Sequence, residues 1–405
     1  MTVERVKVAV VGGGQAGLAI SYELTDAGVD HAVIERGRVG QSWRTRWDSF
    51  CLVTPNWTVQ LPGGEYAGHD PNGFMPRDEI VAHLETYAAS FGAPVREGVD
   101  VWSVEPAASG QLLLRTSAGD VEAEAVVLAT GAYQKPNRPA GAETLPSSLH
   151  VIDSELYTNP DMLPPGKVLV VGSGQTGCQI AEELNEADRE VLLACGRAPW
   201  GPRRIEGRDT LSWLVETPFM EQTVADLPSP RARLGANIQG TGRGGGHDLH
   251  YRTLLAAGVT LCGHFLGVED VGVGFADDLA DSVAFGDDRY RDLGKLLRSS
   301  CVKRGIRPPD LPPPEPFEAD APDRVDLEGL GAVIFTAGYR PDYKRWVHFP
   351  NAFDELGFPI QHDGASSVVP GLYFLGTHFL RNRKSSLLLG VGEDARIIIE
   401  QLAGR

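Results

Sequence analysis

The chain has few of the residues that mark several common chemistries. Its 405 residues include only five cysteines, at 51, 178, 195, 262 and 301, and no two of them stand as C-x-x-C. That spacing excludes both a zinc ribbon and a redox dithiol, and scattered thiols are expected to stay reduced, as in the cytoplasm. Positive charge is also scarce: 37 Lys and Arg against 54 Asp and Glu give a net charge of −17. Such a surface argues against nucleic acid or an anionic membrane as partner. No apolar run approaches the ~20 residues of a membrane span, and the opening residues carry no basic segment with a cleavage site, so no secretory signal is expected. The hydrophobic share of 42% is that of an ordinary globular protein, and the length suits two domains.

Glycine is what the chain does have, and its placement is informative. Val6-Lys-Val-Ala-Val-Val-Gly-Gly-Gly-Gln-Ala-Gly17 reads as strand, tight turn and helix, the helix running over 15–27. Gly12, Gly14 and Gly17 have G-x-G-x-x-G spacing: the first for the turn, the second for close approach of a pyrophosphate, the third for helix–strand packing. The helix start offers free N–H groups and its positive dipole end to phosphate. A second apolar strand, His31-Ala-Val-Ile-Glu35, ends in an acid placed for a ribose hydroxyl pair.

The pattern recurs after a Pro- and Ser-rich stretch over 136–165. Lys167-Val-Leu-Val-Val-Gly-Ser-Gly-Gln-Thr-Gly177 is again strand, glycine turn and helix, followed by the strand Glu190-Val-Leu-Leu-Ala-Cys195. Two copies imply two dinucleotides. The first, ending in Glu35, suits FAD. The second lacks the acid and continues Cys195-Gly-Arg197, with Arg203 and Arg204 close behind, where arginine pairs with the 2′-phosphate of NADPH.

Elsewhere, 78–91 is expected to be an amphipathic helix, 99–104, 112–116 and 121–128 strands, 198–250 an irregular insertion, and 251–257 and 290–303 helices. Strands 331–338 and 371–376 and a closing helix from Ser385 to Leu402 complete the chain. The expected class is α/β, with two Rossmann-like dinucleotide-binding domains. An NADPH domain over 156–330 is inserted into an FAD domain made of 1–155 and 331–405. His247, Asp248 and His250 have something of a metal-ligand spacing, but no third well-placed ligand follows and no metal is expected. Trp200, Trp213 and Phe219 line a substrate pocket or anchor the insertion.

In this order the motifs resemble a known family. The first glycine motif, Gly40-Gln-Ser-Trp43, Ala129-Thr-Gly131, the second glycine motif and Thr336-Ala-Gly-Tyr-Arg-Pro341 together are similar to the single-component (class B) flavin monooxygenases. Within them the chain is nearest the bacterial flavoprotein branch similar to plant YUCCA enzymes. The resemblance implies that Gly12, Gly14, Gln15, Ala16 and Gly17 hold the FAD pyrophosphate, with Glu35 and Arg36 at its ribose. Gln41, Ser42 and Trp43 then line the prosthetic group, and Val101 meets the adenine through its backbone. Ala129, Thr130 and Gly131 join the two sites. Gly376, Ser386 and Leu387 cover the flavin's pyrimidine edge, where the start of the closing helix steadies negative charge. Gly172, Ser173, Gly174, Gln175 and Thr176 hold NADPH, with Arg197 and Arg203 at its 2′-phosphate.

The activity implied is transfer of one oxygen atom from O2 to a small organic substrate through a C4a-(hydro)peroxyflavin, in a cytoplasmic enzyme for which a homodimer is allowed. Two alternatives stay open: an NADPH-dependent flavin oxidase or reductase releasing H2O2, and a nucleotide-sensing flavoprotein without turnover. The family's F-x-G-x-x-x-H fingerprint survives only as His150 in Thr144-Leu-Pro-Ser-Ser-Leu-His150. Its flavin-side asparagine falls on either Thr54 or Asn56. Thr54, Asn56 and His150 are therefore the candidate catalytic residues.

Overall fold

Two parallel sheets organise the chain, each grown around one of the glycine motifs. The computed structural model describes residues 3–270 and 272–404. In the first sheet Leu372–Phe374, Val121–Leu128, Glu4–Val11, His31–Ile34 and Val95–Arg96 lie side by side, each neighbour parallel to the next. The hairpin Val101–Pro106 and Leu112–Thr116 joins it antiparallel. Val8 to Val11 is apolar without alternation because both faces of this central strand are covered. One face is covered by the helix Gln15–Asp26, whose Leu18, Ile20 and Leu24 are fully buried, each contributing roughly 1.5–3 kcal/mol.

Register decides where the functional residues emerge. Val11 stands opposite Ile34 and Leu128, and Phe374 opposite Leu128. Gly12, Glu35, Ala129 and Leu375 therefore leave the sheet together at its carboxyl edge, where open α/β sheets bind ligands.

The second sheet repeats the plan with His150–Asp153, Leu330–Phe335, Lys167–Val171, Val191–Ala194 and Thr260–Cys262, all parallel. Val171 aligns with Ala194 and Phe335, and Phe335 with Asp153. Gly172, Cys195, Thr336 and Ser154 thus share one edge. The strands at 150–153 and 330–335 both pair within this sheet.

Two helices differ from expectation. The helix expected at 290–303 begins eleven residues earlier, as Leu279–Lys303. Its polar early turns are stabilised by tertiary partners: buried Asp287 accepts from Arg252 and from the Trp200 indole. The closing helix is Val391–Ala403 and does not include Ser385. The Ser385 hydroxyl is buried and accepts from the backbone N–H groups of Arg381 and Asn382, which holds that stretch in a turn. The insertion at 198–250 contains the small hairpin Arg204–Ile205 and Arg208–Asp209, the short helix Thr210–Leu214, and 3-10 turns. Among the described residues no helix is long and apolar enough to cross a membrane.

Candidate functional site

The first cradle is built from backbone. Gly12 takes φ +111°, a conformation L side chains rarely adopt, and a Cβ on Gly17 would stand 1.8 Å from the Gly12 carbonyl oxygen. These two glycines serve the fold. Gly14 is different: its φ of −87° suits any residue, and the nearest atom to a Cβ built there is Ser42 Oγ at 3.9 Å. Packing within the protein does not require glycine at that position, whereas close approach of a ligand to the backbone would. The first-turn N–H groups beside it have no carbonyl one turn back to bind. Glu35 is buried, and its two oxygens accept from the N–H groups of Gly13 at 2.6 Å and Gly37 at 2.8 Å. Each oxygen keeps acceptor capacity for a ribose hydroxyl. Gly40 N–H donates to the Gly13 carbonyl at 3.0 Å, bringing Gln41, Ser42 and Trp43 alongside. The Trp43 indole then donates to Gln15 Oε1 at 2.8 Å. Gly376 closes the cradle from the other side, so tightly that a Cβ there would be 2.7 Å from the Ala16 methyl.

The second cradle has the same geometry. Gly172 has φ +107°, and a Cβ on Gly177 would be 1.9 Å from the Gly172 carbonyl oxygen. Gly174 has φ −65° and nothing nearer to a built Cβ than the Ala236 methyl at 3.7 Å. The Thr336 hydroxyl donates to the Gly172 carbonyl at 2.6 Å and so ties Thr336-Ala-Gly338 to the loop. Ser173 Oγ accepts from Gly196 N–H at 2.8 Å and pairs with the Tyr251 hydroxyl at 2.5 Å, which donates to the Gly196 carbonyl at 2.5 Å. This clasp fixes the tip from which Arg197 projects, exposed and with no carboxylate within 4.0 Å among the described residues. Gln175 reaches the Gly240 carbonyl of the insertion at 3.2 Å, and Thr176 sits half-buried in the first turn.

Between the cradles lie the linker after Ala129, the insertion, and the loop that follows Gly376. Gln134 donates to Thr130 Oγ1 at 3.2 Å, and Gly131 takes φ +77° with open space beside it. Tyr133 meets the His378 ring edge-on at 5.3 Å, and Arg46 lies over the Tyr133 ring at 5.4 Å. Burial holds His378 at about 4, hence neutral near pH 7, with its Nδ1 3.1 Å from Ser386 Oγ. Ser386 also offers its carbonyl to Gln15 Nε2 at 3.5 Å, and Leu387 is half-buried beside it. The five cysteines are free and buried, and burial pushes the thiols of Cys51, Cys178, Cys195 and Cys262 up. No thiol nucleophile is thereby prepared. Two surface clefts of about 360 and 450 Å³ border neither glycine loop.

Two expected residues are engaged by other partners, and a third stands back from the carboxyl edge of its sheet. Asn56 is buried in the loop over 51–75, where its amide donates to the Asp70 carbonyl at 2.9 Å and accepts from Met75 N–H at 2.7 Å. Its hydrogen-bonding capacity shapes that loop. His150 stands opposite Ala332, three register steps before the Asp153–Phe335 pair, roughly 10 Å back from the carboxyl edge at strand rise. Its buried Nε2 has no hydrogen-bond partner among the described residues. Arg203 is not a free cation at the 2′-phosphate: it is buried against Asp209, donates to the Val53 carbonyl at 2.8 Å and lies over Phe74 at 4.8 Å. It fastens the insertion to the loop over 51–75. Thr54 stays half-buried in that loop and accepts from Thr58 at 2.9 Å. Arg36 is exposed beside Glu35, and Val101 begins the hairpin strand two residues beyond Val99, whose N–H donates to the Glu35 carbonyl.

The remaining motif residues diverge. His247 pairs with Glu182 at 2.7 Å, Asp248 accepts from Arg203 N–H at 2.5 Å, and His250 lies against Trp200. Trp200 stacks on Tyr290 at 4.3 Å and Trp213 donates to the Ile205 carbonyl at 3.2 Å, so both anchor the insertion. His378, Phe379 and Arg383 belong to no motif; the signal they leave in the sequence is the basic run Arg381-Asn-Arg-Lys384, one residue after Gly376-Thr-His-Phe379.

Comparison with known proteins follows the same lines. The family described as pyridine nucleotide-disulphide oxidoreductase matches residues 9–228. An oxidoreductase CzcO-like protein of Geobacillus kaustophilus is 33% identical over 98% of each chain. The indole-3-pyruvate monooxygenase YUCCA4 of Oryza sativa subsp. japonica is 30% identical, over 98% of this chain and 87% of the rice protein. Among solved structures, a flavin-containing monooxygenase from Stenotrophomonas maltophilia has a similar fold, with a TM-score of 0.67 at 19% identity and 99% of both chains covered.

Proposed function

Because the chain belongs to the pyridine nucleotide-disulphide oxidoreductase family, and within it to the flavin monooxygenases related to YUCCA, we propose that it is an NADPH-dependent, FAD-containing monooxygenase acting on small organic molecules. The observation that carries this reading is the matched pair of gaps at Gly14 and Gly174, where nothing in the protein asks for glycine. Two gaps of that kind fit electron transfer between two bound nucleotides, and kinship to the flavin monooxygenases supports O2 as the acceptor.

When bound, FAD supplies hydride acceptance from the nicotinamide and activation of O2. The residues do the rest. Gly14, Gln15 and Ala16 take the FAD pyrophosphate on backbone N–H groups, and Glu35 takes the ribose. Trp43, Gly131, Gly376 and Ser386 border the ring system. Gly172 to Thr176 cradle NADPH, and Arg197 alone meets its 2′-phosphate. The Pro-rich linker and Thr336-Ala-Gly338 tie the nucleotide unit to the flavin unit at two points, which favours keeping NADP⁺ in place and water out. We assign the NADPH unit to 150–335 and the FAD unit to 1–149 and 336–405, following strand pairing.

The test is a stoichiometry. Purified protein is expected to carry one FAD, and to consume NADPH and O2 with oxygenated product in place of peroxide across a panel of amines, sulfides, ketones and 2-oxo acids. Peroxide equal to NADPH for every compound would favour an oxidase. Absence of flavin would favour neither enzyme.

A further inference from the structure

After Gly376 the chain runs Thr377-His-Phe-Leu-Arg-Asn-Arg-Lys-Ser-Ser386. The base of this loop rests on the first cradle, through Gly376 on Ala16 and the Ser386 carbonyl on Gln15. Its tip meets the insertion. Arg383 N–H donates to the Gln222 carbonyl at 2.9 Å, and Asn382 donates to Glu221 Oε2 at 2.9 Å. The loop therefore forms a wall between the flavin cradle and the insertion.

Three cations stand on it, and two are neutralised. Arg381 pairs with Asp394 at 2.9 Å and Asp363 at 3.3 Å. Lys384 pairs with Glu221 at 2.7 Å and Glu393 at 2.8 Å. Arg383 has no carboxylate within 4.0 Å among the described residues. Its only side-chain acceptor there is the neutral Gln222 Oε1, reached by Nη2 at 2.9 Å and Nε at 3.3 Å, which leaves Nη1 without a partner. The guanidinium lies over two rings, Phe219 at 4.2 Å and Phe379 at 4.9 Å. Burial without a countercharge lowers its hold on the proton. Phe379 also takes φ +52°, a strained conformation for a bulky residue, of the kind that clusters at ligand clamps. A strut between loop and insertion needs neither the strain nor the unneutralised charge, because Lys384 and Asn382 already join the two through Glu221.

We infer that Arg383 is the anchor for a carboxylate on the substrate, and hence that the enzyme prefers organic acids over their neutral analogues. The planar fork, set against two rings and steered by Gln222, presents its free edge to a planar anion. Delivery of oxygen to such an acid rests on the monooxygenase reading. The anion site does not.

The test uses FAD-loaded enzyme with NADP⁺ present, titrated calorimetrically with three acid and amide pairs. These are benzoate and benzamide, phenylacetate and phenylacetamide, and (phenylthio)acetate and (phenylthio)acetamide. For at least one pair the acid is expected to bind about ten- to a hundredfold more tightly, the size of a charge-assisted hydrogen bond. Arg383→Gln removes that preference and leaves amide binding unchanged, while Arg383→Lys keeps part of it. NADP⁺ affinity stays unchanged in both variants. Equal binding of acid and amide in every pair overturns the inference without any variant. So does an Arg383→Gln enzyme that loses acid and amide alike, or one that loses NADP⁺. If Arg383→Gln does not fold, the wild-type preference and the Arg383→Lys enzyme decide. If (phenylthio)acetate binds through Arg383 and NADPH yields only peroxide, the anion site stands and the monooxygenase reading fails.

Discussion

Gly14 and Gly17 have the same side chain for different reasons, and substitution separates them. In Gly17→Ala the new Cβ would stand 1.8 Å from the Gly12 carbonyl oxygen and 2.9 Å from its carbon. Both are backbone atoms, so strand and helix must part, at the ~1–3 kcal/mol or more of an overpacked core. In Gly14→Ala the Cβ meets nothing closer than 3.9 Å, and φ is −87°. Stability of the apoprotein should shift by only about ±0.5 kcal/mol, the range of a substitution that disturbs no packing. The added methyl would nevertheless occupy the space we assign to the pyrophosphate. The assay pairs urea unfolding of flavin-stripped protein with the flavin-to-protein absorbance ratio as purified. Gly17→Ala should lower the midpoint. Gly14→Ala should keep the wild-type midpoint and arrive largely without flavin. Full flavin occupancy in Gly14→Ala, or an apoprotein as unstable as Gly17→Ala, would refute the division of roles.

Arg197→Ala should raise KM for NADPH roughly ten- to a hundredfold with little effect on NADH. Arg203→Ala, which leaves the buried Asp209 without its countercharge, should lower Tm without changing that preference, and an equal loss for both nucleotides in Arg197→Ala would refute the assignment. Asn56→Ala should cost about 1–3 kcal/mol for the Asp70 and Met75 bonds it removes, with the decay of oxidising flavin unchanged at a temperature where the variant is folded. His250 and His378 are both held at about 4 by burial, below the ~6.5 of an unfolded histidine. The unfolded chain then binds more protons between those values, so stability present above pH 6.5 is lost as pH falls toward 4. His378→Gln should shrink the drop in Tm between pH 7 and pH 5, and an unchanged drop would show that His378 is not part of it.

The glycine cradles were legible because their cause is local: a turn, a helix start and a strand-end acid lie within about thirty residues of sequence. What lay beyond local reach was lost. The early turns of Leu279–Lys303 look polar, and Asp287 becomes helical core only through Arg252 and Trp200. His150 matches a motif, and only strand pairing shows that it opens its strand opposite Ala332. Asn56 and Arg203 had suitable chemistry that nearby backbone and carboxylate groups had already taken up. Arg383 is the converse: its lack of a countercharge appears only when Phe219 and Gln222, far away in sequence, are brought beside it.

The central claim is that the second nucleotide unit keeps NADP⁺ in place to protect oxygen chemistry at the first. Enzyme reduced by dithionite or light, without substrate, is mixed with O2 in a stopped-flow instrument, with and without NADP⁺. A species absorbing between the reduced and oxidised flavin bands should appear and live far longer when NADP⁺ is bound. Equally fast return to oxidised flavin in both cases, with peroxide released at once, would contradict the claim and leave an oxidase in its place.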